Sequence, residues 1–245
     1  MRNLILIPLF FFTFCSLSGQ TEQNNRVIIL TDIEADPDDT QSLVRLLLYT
    51  NEIDVKGIVA TTSCWHKTMV NPESIRKVVR AYEKVQPNLA KHDAAYPKAE
   101  TLYPLIKSGL PEYGMQGVGK EKDSEGSDWI IRELESSDDR PLWISVWGGS
   151  NTLAQALYKI KNTKPETELK TLVAKLRVYA ISDQDDSGIW IRNNFPDLFY
   201  IVSPGDDYGS ATWSSINTYV QGINNGKISN TWLAQNIQQG HGSLG

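Results

Sequence analysis

Thr31-Asp32-Ile33-Glu34-Ala35-Asp36-Pro37-Asp38-Asp39-Thr40 places five carboxylates within eight residues. Before it stands the apolar run Val27-Ile28-Ile29-Leu30, and after it the helix-periodic Leu43-Val44-Arg45-Leu46-Leu47-Leu48-Tyr49. The flanks predict a buried strand and an amphipathic helix, so the acids fall at the strand's carboxyl end and the helix's start. Five negative charges at this density repel one another. Helix N-terminal amides absorb one or two, each anion gaining about 0.3–1 kcal/mol from the dipole. The others call for water, a basic partner or a cation, and the nearest basic residues are Arg26 and Arg45. A hard divalent metal, calcium or magnesium, suits an all-oxygen set. A solvated acidic loop capping a helix is the plainer alternative. The strand-acid-helix context weighs against it, because open α/β sheets bind ligands at the carboxyl ends of their strands. An EF-hand is excluded, since Pro37 stands at the glycine position and Leu43 at the closing glutamate.

The same unit recurs along the chain. Val55-Lys56-Gly57-Ile58-Val59-Ala60 reads as a strand ending in Thr61-Thr62-Ser63, with Trp65 and His66 next. Pro72 opens a helix whose buried face carries Ile75, Val78, Val79 and Tyr82. Residues 86–126, rich in proline and glycine, are the least regular part and suit a lid or pocket wall. Ser127 is a suitable N-cap for a helix through Trp129, Ile130, Ile131 and Leu134. Leu142 to Trp147 is a strand broken by Gly148-Gly149-Ser150-Asn151-Thr152, with a helix from Leu153. Leu176 to Ile181 is a strand leading to Ser182-Asp183-Gln184-Asp185-Asp186-Ser187-Gly188 and a helical stretch at Trp190 to Asn194. Leu198 to Val202 is another strand, and Trp232 to Ile237 is helical. Polar residues always at the carboxyl side of the strands predict an α/β fold with a mostly parallel open sheet flanked by helices.

Residues 1–19 fall outside that fold. Arg2 followed by an apolar core from Leu4 to Cys15 and small residues at Ser16 to Gly19 reads as a signal peptide. Twelve such residues are fewer than the roughly 20 a bilayer span takes. The mature protein is expected to be secreted or periplasmic; lipidation at Cys15 is disfavoured by bulky Phe14. Cleavage removes Arg2 and no acid, taking the net charge from −5 to −6. An acidic exported chain without a basic aromatic stripe excludes nucleic acid as a partner. Cys64 is then the sole cysteine, so no internal disulfide forms. Residues 20–245 suit one domain with a substantial core.

Asp32, Glu34, Asp38 and Asp39 form Asp-x-Glu-x-x-x-Asp-Asp. This resembles the Asp-x-Asp-x-x-x-Asp-Asp signature of calcium-dependent nucleoside hydrolases. The extended run to Tyr49, with Asn51 to Gly57 and Ala60 to Ser63, is more similar still to the nucleoside-hydrolase-like domain of bacterial cellulose-binding-type proteins. Gly117-Val118-Gly119-Lys120 and Asp123 to Ser127 also resemble stretches of that family. The resemblance covers nearly all of the chain after residue 25. It implies a nucleoside-hydrolase-like fold and hydrolysis of a glycosidic bond, most simply the N-glycosidic bond of a nucleoside-like compound. The implied substrate is a small sugar-containing compound or a polysaccharide.

By the same resemblance a calcium ion is held by Glu34, Asp39 and a backbone carbonyl at Asn151, or at Ser150 if the alignment slips by one. Glu34 is the implied base, and its extra methylene shifts the carboxylate by about one bond length from the family's Asp. Asp36 is the implied substitute for Glu34. Asp38 is implied to bind a sugar hydroxyl, and Asp32 to orient the loop from behind the ligands. Asp183, Asp185 and Asp186 are substrate-binding candidates by location. No leaving-group acid is identified; His66 and Trp65 lie near the expected rim and His241 close to the chain's end. Nucleoside hydrolases place one more calcium-binding Asp late in the chain, and relatives of this branch continue further. The resemblance therefore implies a domain incomplete at Gly245.

Two readings from other classes need weighing. Seven tryptophans, among them Trp65, Trp190 and Trp213, can form stacking platforms, which suits carbohydrate binding without catalysis. A phosphatase of the haloacid-dehalogenase type also begins with acids after a strand, but it needs a second Asp where Glu34 stands. A homo-oligomer is compatible with either remaining reading. The order of residues 1–19 predicts mature material beginning at about Gly19 to Thr21. N-terminal sequencing of exported protein checks this, and an intact Met1 contradicts it.

Overall fold

The computed structural model describes residues 24–203, 221–222 and 224–245. Trp213 and the expected leader, residues 1–19, lie outside them. Six parallel strands form one sheet: β1 (Asn25–Thr31), β2 (Ile53–Ala60), β3 (Ile106–Ser108), β4 (Leu142–Val146), β5 (Leu176–Ala180) and β6 (Phe199–Val202). Their spatial order is β3-β2-β1-β4-β5-β6. The chain thus builds outward from β1 on one side, then returns to β1's other edge with β4. In β1, Ile28, Ile29 and Leu30 are all fully buried, with no apolar-polar alternation. A central strand of a parallel sheet, covered on both faces, requires that pattern.

Two apolar layers cover the faces. Ile28, Leu30, Ile144, Val146 and Val178 pack with α4 (Glu125–Leu134) and α5 (Asn151–Thr163) through Ile130, Leu134, Leu153, Leu157 and Ile160. Ile29 and Ile58 pack with α1 (Pro37–Leu47) and α2 (Pro72–Leu89) through Leu43, Leu47, Ile75, Val79 and Tyr82. Each such side chain contributes about 1.5–3 kcal/mol when fully buried. Adjacent β1 residues therefore anchor in opposite layers, and the strand's carboxyl end is held firmly. Further helices are α3 (Ala99–Leu102), α6 (Glu166–Lys175) and α7 (Ser187–Asn194). Among the described residues no helix is long and apolar enough to cross a membrane.

Several boundaries differ from the sequence expectation for identifiable reasons. α2 runs through Pro87 to Leu89, with the proline in the last turn forgoing its backbone hydrogen bond. Ser124, not Ser127, caps α4: its hydroxyl accepts from Ser127 N at 3.1 Å, and Ser127 Oγ accepts from Ser124 N at 2.9 Å. Ser127 is thus the return half of a capping box. α5 starts at Asn151, ahead of Leu153. The Trp232–Ile237 stretch is a single α-turn, Asn230–Leu233, continued as a π-turn over Ala234–Gln238. Neither β3 nor α6 carries a periodic signal, since β3 has three residues and α6 buries only Leu172 and Val173. Replacing Ser124 by alanine removes one half of the box and should lower stability by about 1 kcal/mol, measured by urea denaturation.

Candidate functional site

β1 delivers Thr31 and Asp32 to the carboxyl edge, at the point where the strand order reverses between β1 and β4. The chain then turns, with Ala35 N donating to Asp32 O at 2.9 Å and Asn71 Nδ2 donating to Ile33 O at 3.1 Å. Glu34 occupies this turn at φ 76°, a backbone conformation that costs a side-chain-bearing residue on the order of 1 kcal/mol. Asp32 is thereby buried while the Glu34 side chain is exposed. Pro37 opens α1 with the φ its first position needs, placing Asp38 and Asp39 in the first turn. Asp36 precedes it in extended conformation without capping the helix through its side chain.

Asp32 and Asp39 are 6 % and 4 % exposed and lie within hydrogen-bond reach of each other. Thr31 Oγ1 donates to Asp39 Oδ2 and accepts from Ile33 N at 3.2 Å. Ser63, just beyond β2, hydrogen-bonds Asp32. Burial raises Asp32 above the ordinary carboxylate range. Burial, and then the Asp32 charge, push Asp39 up to about 8. Asp38, half-buried, is raised by desolvation and secondarily by Asp36 and Asp32. Among the described residues no lysine or arginine forms an ion pair with them: Lys67 lies near Cys64 and over the Tyr113 ring, and buried Arg26 lies at the far end of β1, bonded to Glu133 and to the carbonyls of Asp138 and Arg140. At neutral pH the Asp32–Asp39 pair therefore keeps a proton unless a cation replaces it.

The crevice wall is built from the ends of β2, β4 and β5. Gly148 packs so closely on Asp32 that an added Cβ would fall 2.8 Å from the Asp32 Cβ. A Cβ at Gly149 would collide with Asp185 Oδ2 and with Thr62 O. Asp185 accepts from Ser187 N at 2.9 Å, from Ser187 Oγ and from Asn151 N at 3.3 Å. The Asn151 amide is fully engaged. Its Oδ1 accepts from Thr61 Oγ1 at 2.7 Å and Thr152 N at 2.9 Å, while Nδ2 donates to Thr62 Oγ1 at 3.0 Å and Glu112 O at 2.7 Å. The loop around Glu112 packs as a wall tied to the neighbouring segments by hydrogen bonds. Tyr113 OH donates to Gln184 O at 3.2 Å, Met115 N to Asp186 Oδ1 at 2.8 Å, and Gly119 N to Gln155 Oε1 at 2.8 Å. Cys64 lies in the fields of both Asp32 and Asp185, and burial raises its thiol.

The structure thus brings Asp32 and Asp39 together, with Asp38 and Asp36 beside them, and joins Asn151 to Asp185. It does not gather all the candidates at one point. Asp183 forms a two-pronged ion pair with Arg192, at 2.9 and 2.7 Å. His241 is exposed, with its Nε2 3.0 Å from Gln235 O. Trp190 is half-buried and edge-on to Phe195, whereas Trp65 is 59 % exposed on the turn after β2. Among the described residues no three His, Cys, Asp or Glu side chains converge as a ready metal cage. The donor chemistry present, two buried carboxylates with the Thr31 and Ser63 hydroxyls, nevertheless fits a hard cation whose other oxygens come from elsewhere. Ser63 and Gly148 form part of the site without belonging to the acid motif; both stand just past strand ends.

An open parallel α/β sheet with acids at its switch point is of the class whose members bind ligands at the carboxyl ends of the strands. Residues 26–245 match the family model described as cellulose-binding Sde182, nucleoside hydrolase-like domain, and the chain belongs to that family. It is also similar to a solved nucleoside hydrolase-related hypothetical protein from Saccharophagus degradans associated with carbohydrate metabolism. The two share 40 % identity with a TM-score of 0.78, covering 91 % of this chain and 50 % of that one. This chain therefore spans about half the length of that relative. No curated protein matches it.

The raised acids set a pH dependence. Folded Asp39 binds its proton up to about pH 8, whereas the unfolded chain releases it near 3.8. The folded state thus holds more protons between those values, and stability falls as pH rises, by up to about 1.4 kcal/mol per pH unit. Urea titrations of chelator-treated protein at pH 5, 6 and 7 should show this decline. Asp39→Asn should flatten it.

Proposed function

We propose that this chain is an exported, cation-dependent hydrolase of glycosidic bonds, acting on N-glycosyl, nucleoside-like compounds. The observation that carries the reading is the buried Asp32–Asp39 pair, set at the switch point and, among the described residues, without an ion-pair partner. Family membership supports a carbohydrate ligand.

Asp32 and Asp39 are the residues to hold calcium, with Thr31 and Ser63 fixing the two carboxyls. Calcium, when bound there, supplies positive charge that anchors sugar hydroxyls and acidifies a water. Glu34, exposed on its strained turn, takes the proton of the attacking water, and Asp36 is the neighbouring carboxylate able to replace it. Asp38 Oδ1 accepts from Asp39 N at 2.9 Å, which orients that carboxylate toward a sugar hydroxyl. Water adds to the anomeric carbon as the carbon–nitrogen bond breaks, and the departing base gains a proton. Asn151 and Asp185 act by fastening the wall, because their hydrogen-bonding groups are taken up by protein. Asp183 and Asp186 flank that wall.

Carbohydrate binding without hydrolysis is the second reading, favoured by exposed Trp65 at the crevice rim. Ser63 Oγ accepts from Trp65 N at 3.0 Å and His66 N at 3.2 Å, so this rim is ordered by the same serine that meets Asp32. Asp39→Asn separates the two. Asparagine still accepts from Thr31 and relieves the carboxyl repulsion, so the fold should be kept. Release of free sugar from a nucleoside panel with calcium should fall on the order of a hundredfold or more. The polypeptide should be assayed together with any natural sequence adjoining it. An unchanged rate overturns the metal-centred reaction. No release from any substrate, with retention on cellulose lost in Trp65→Ala, favours the binding reading.

A further inference from the structure

A groove of about 910 Å³ opens at the amino end of the sheet, away from the Asp32–Asp39 pair. Seven-residue β1 separates the two ends by about 20 Å. The segment between α2 and β3 lends the groove Pro97 and Leu105, and α4 lends the half-buried Trp129. β2 and the approach to β4 supply Asp54, Asp138 and Arg140. The strand ladder is irregular at this point. Val27 pairs with Val55 and Ile28 with Gly57, so Lys56 is bulged out of register, and its carbonyl accepts from Trp129 Nε1 at 2.6 Å. Bulges recur beside functional sites, where they re-aim side chains.

The charges around this groove are balanced. Arg140 pairs with Asp54 at 2.7 Å and with Asp138 at 2.6 Å, Lys56 with Asp54 at 3.0 Å, and buried Arg26 with Glu133 at 3.1 Å. Three carboxylates thus meet three cations, and an ionic ligand would find no charge to neutralise. The carboxylate side chains are nevertheless 16–30 % exposed and keep lone pairs able to accept from hydroxyls. Arg140 holds Asp138 well below the usual carboxylate range, so that acceptor stays ionised. Pro97 and Leu105 add apolar surface to the same space. A neutral sugar, with hydroxyls at its edges and carbon–hydrogen faces between them, suits both kinds of surface. Extending the carbohydrate reading above to a second site, we infer that this groove binds a neutral oligosaccharide. The binding does not depend on hydrolysis at the carboxyl edge.

The test is isothermal titration of cellotetraose, xylotetraose and the anionic tetragalacturonate into the parent, Thr101→Arg, Ala95→Arg and Trp65→Ala. Thr101 and Ala95 are exposed positions in the groove lining. Thr101 gives up only its hydroxyl bond to Lys98 O at 2.7 Å, and Ala95 has no polar side chain to lose. An arginine at either position bars the groove, and thermal melting checks that the fold is kept. The parent should bind a neutral tetrasaccharide in preference to tetragalacturonate, and both arginine variants should bind it about tenfold or more weakly at the parent's melting temperature. If one arginine variant melts early, the other decides. Binding as in the parent by the folded arginine variants overturns the inference, as does a preference for tetragalacturonate. Loss confined to Trp65→Ala puts the sugar at the carboxyl rim and overturns this inference alone. Binding of none of the three by the parent overturns it together with the carbohydrate reading.

Discussion

Burying Asp32 against Asp39 is the constraint on which the carboxyl edge of this sheet depends. Two ionised carboxyls taken out of water side by side are strongly unfavourable, so the pair must share a proton or neutralise itself on a cation. The fold makes the pair unavoidable. Ile28, Ile29 and Leu30 lock β1 between two apolar layers, which fixes where Asp32 emerges. Leu43 and Leu47 lock α1 into one of those layers, which fixes the first turn that carries Asp39. Moving either acid away would mean sliding a strand or a helix out of the apolar layers that anchor it, at about 1.5–3 kcal/mol for each side chain exposed.

The two ends of the sheet differ in charge economy. At the amino end, Arg26 and Arg140 are matched by Glu133, Asp54 and Asp138, and Asp138 is held well below the usual carboxylate range by Arg140. A groove of about 910 Å³ lies there, lined by Asp54, Glu133, Asp138 and Arg140. Its charges are paired within the protein. At the carboxyl end Asp183 is paired with Arg192, but the buried Asp32 and Asp39 carboxyls have no ion pair among the described residues. Unbalanced buried charge is what a ligand or cation corrects, which is the physical ground for the proposal that the carboxyl end is the catalytic site.

Much of this was legible in the sequence. Apolar runs closed by polar residues disclosed five of the six strands, and their shared polarity disclosed the parallel sheet. The acid spacing disclosed Asp32 and Asp39 because both flank the turn locally. What spacing cannot carry is contact between distant segments. Ser63 meets Asp32 only because β2 runs beside β1, and Gly148 only because β4 lies at its other edge. Nor does composition reveal which acids are already taken. Asp183 and Asp185 resemble the first cluster on paper, yet one is paired with Arg192 and the other caps Ser187.

Asn151 shows how such long-range contacts make a rigid site. Its amide spends both donors and its oxygen on Thr61, Thr62, Thr152 and Glu112, joining the end of β2, the start of α5 and the loop before α4. Its backbone amide reaches Asp185, which in turn packs on Gly149. Four separate segments thereby meet at one side chain of fixed geometry. Neither aspartate nor leucine could replace it, since the first lacks the two donors and the second all four bonds. The wall beside the acids is thus fastened by hydrogen bonds from several segments, and a wall already ordered lowers the cost of binding any ligand there.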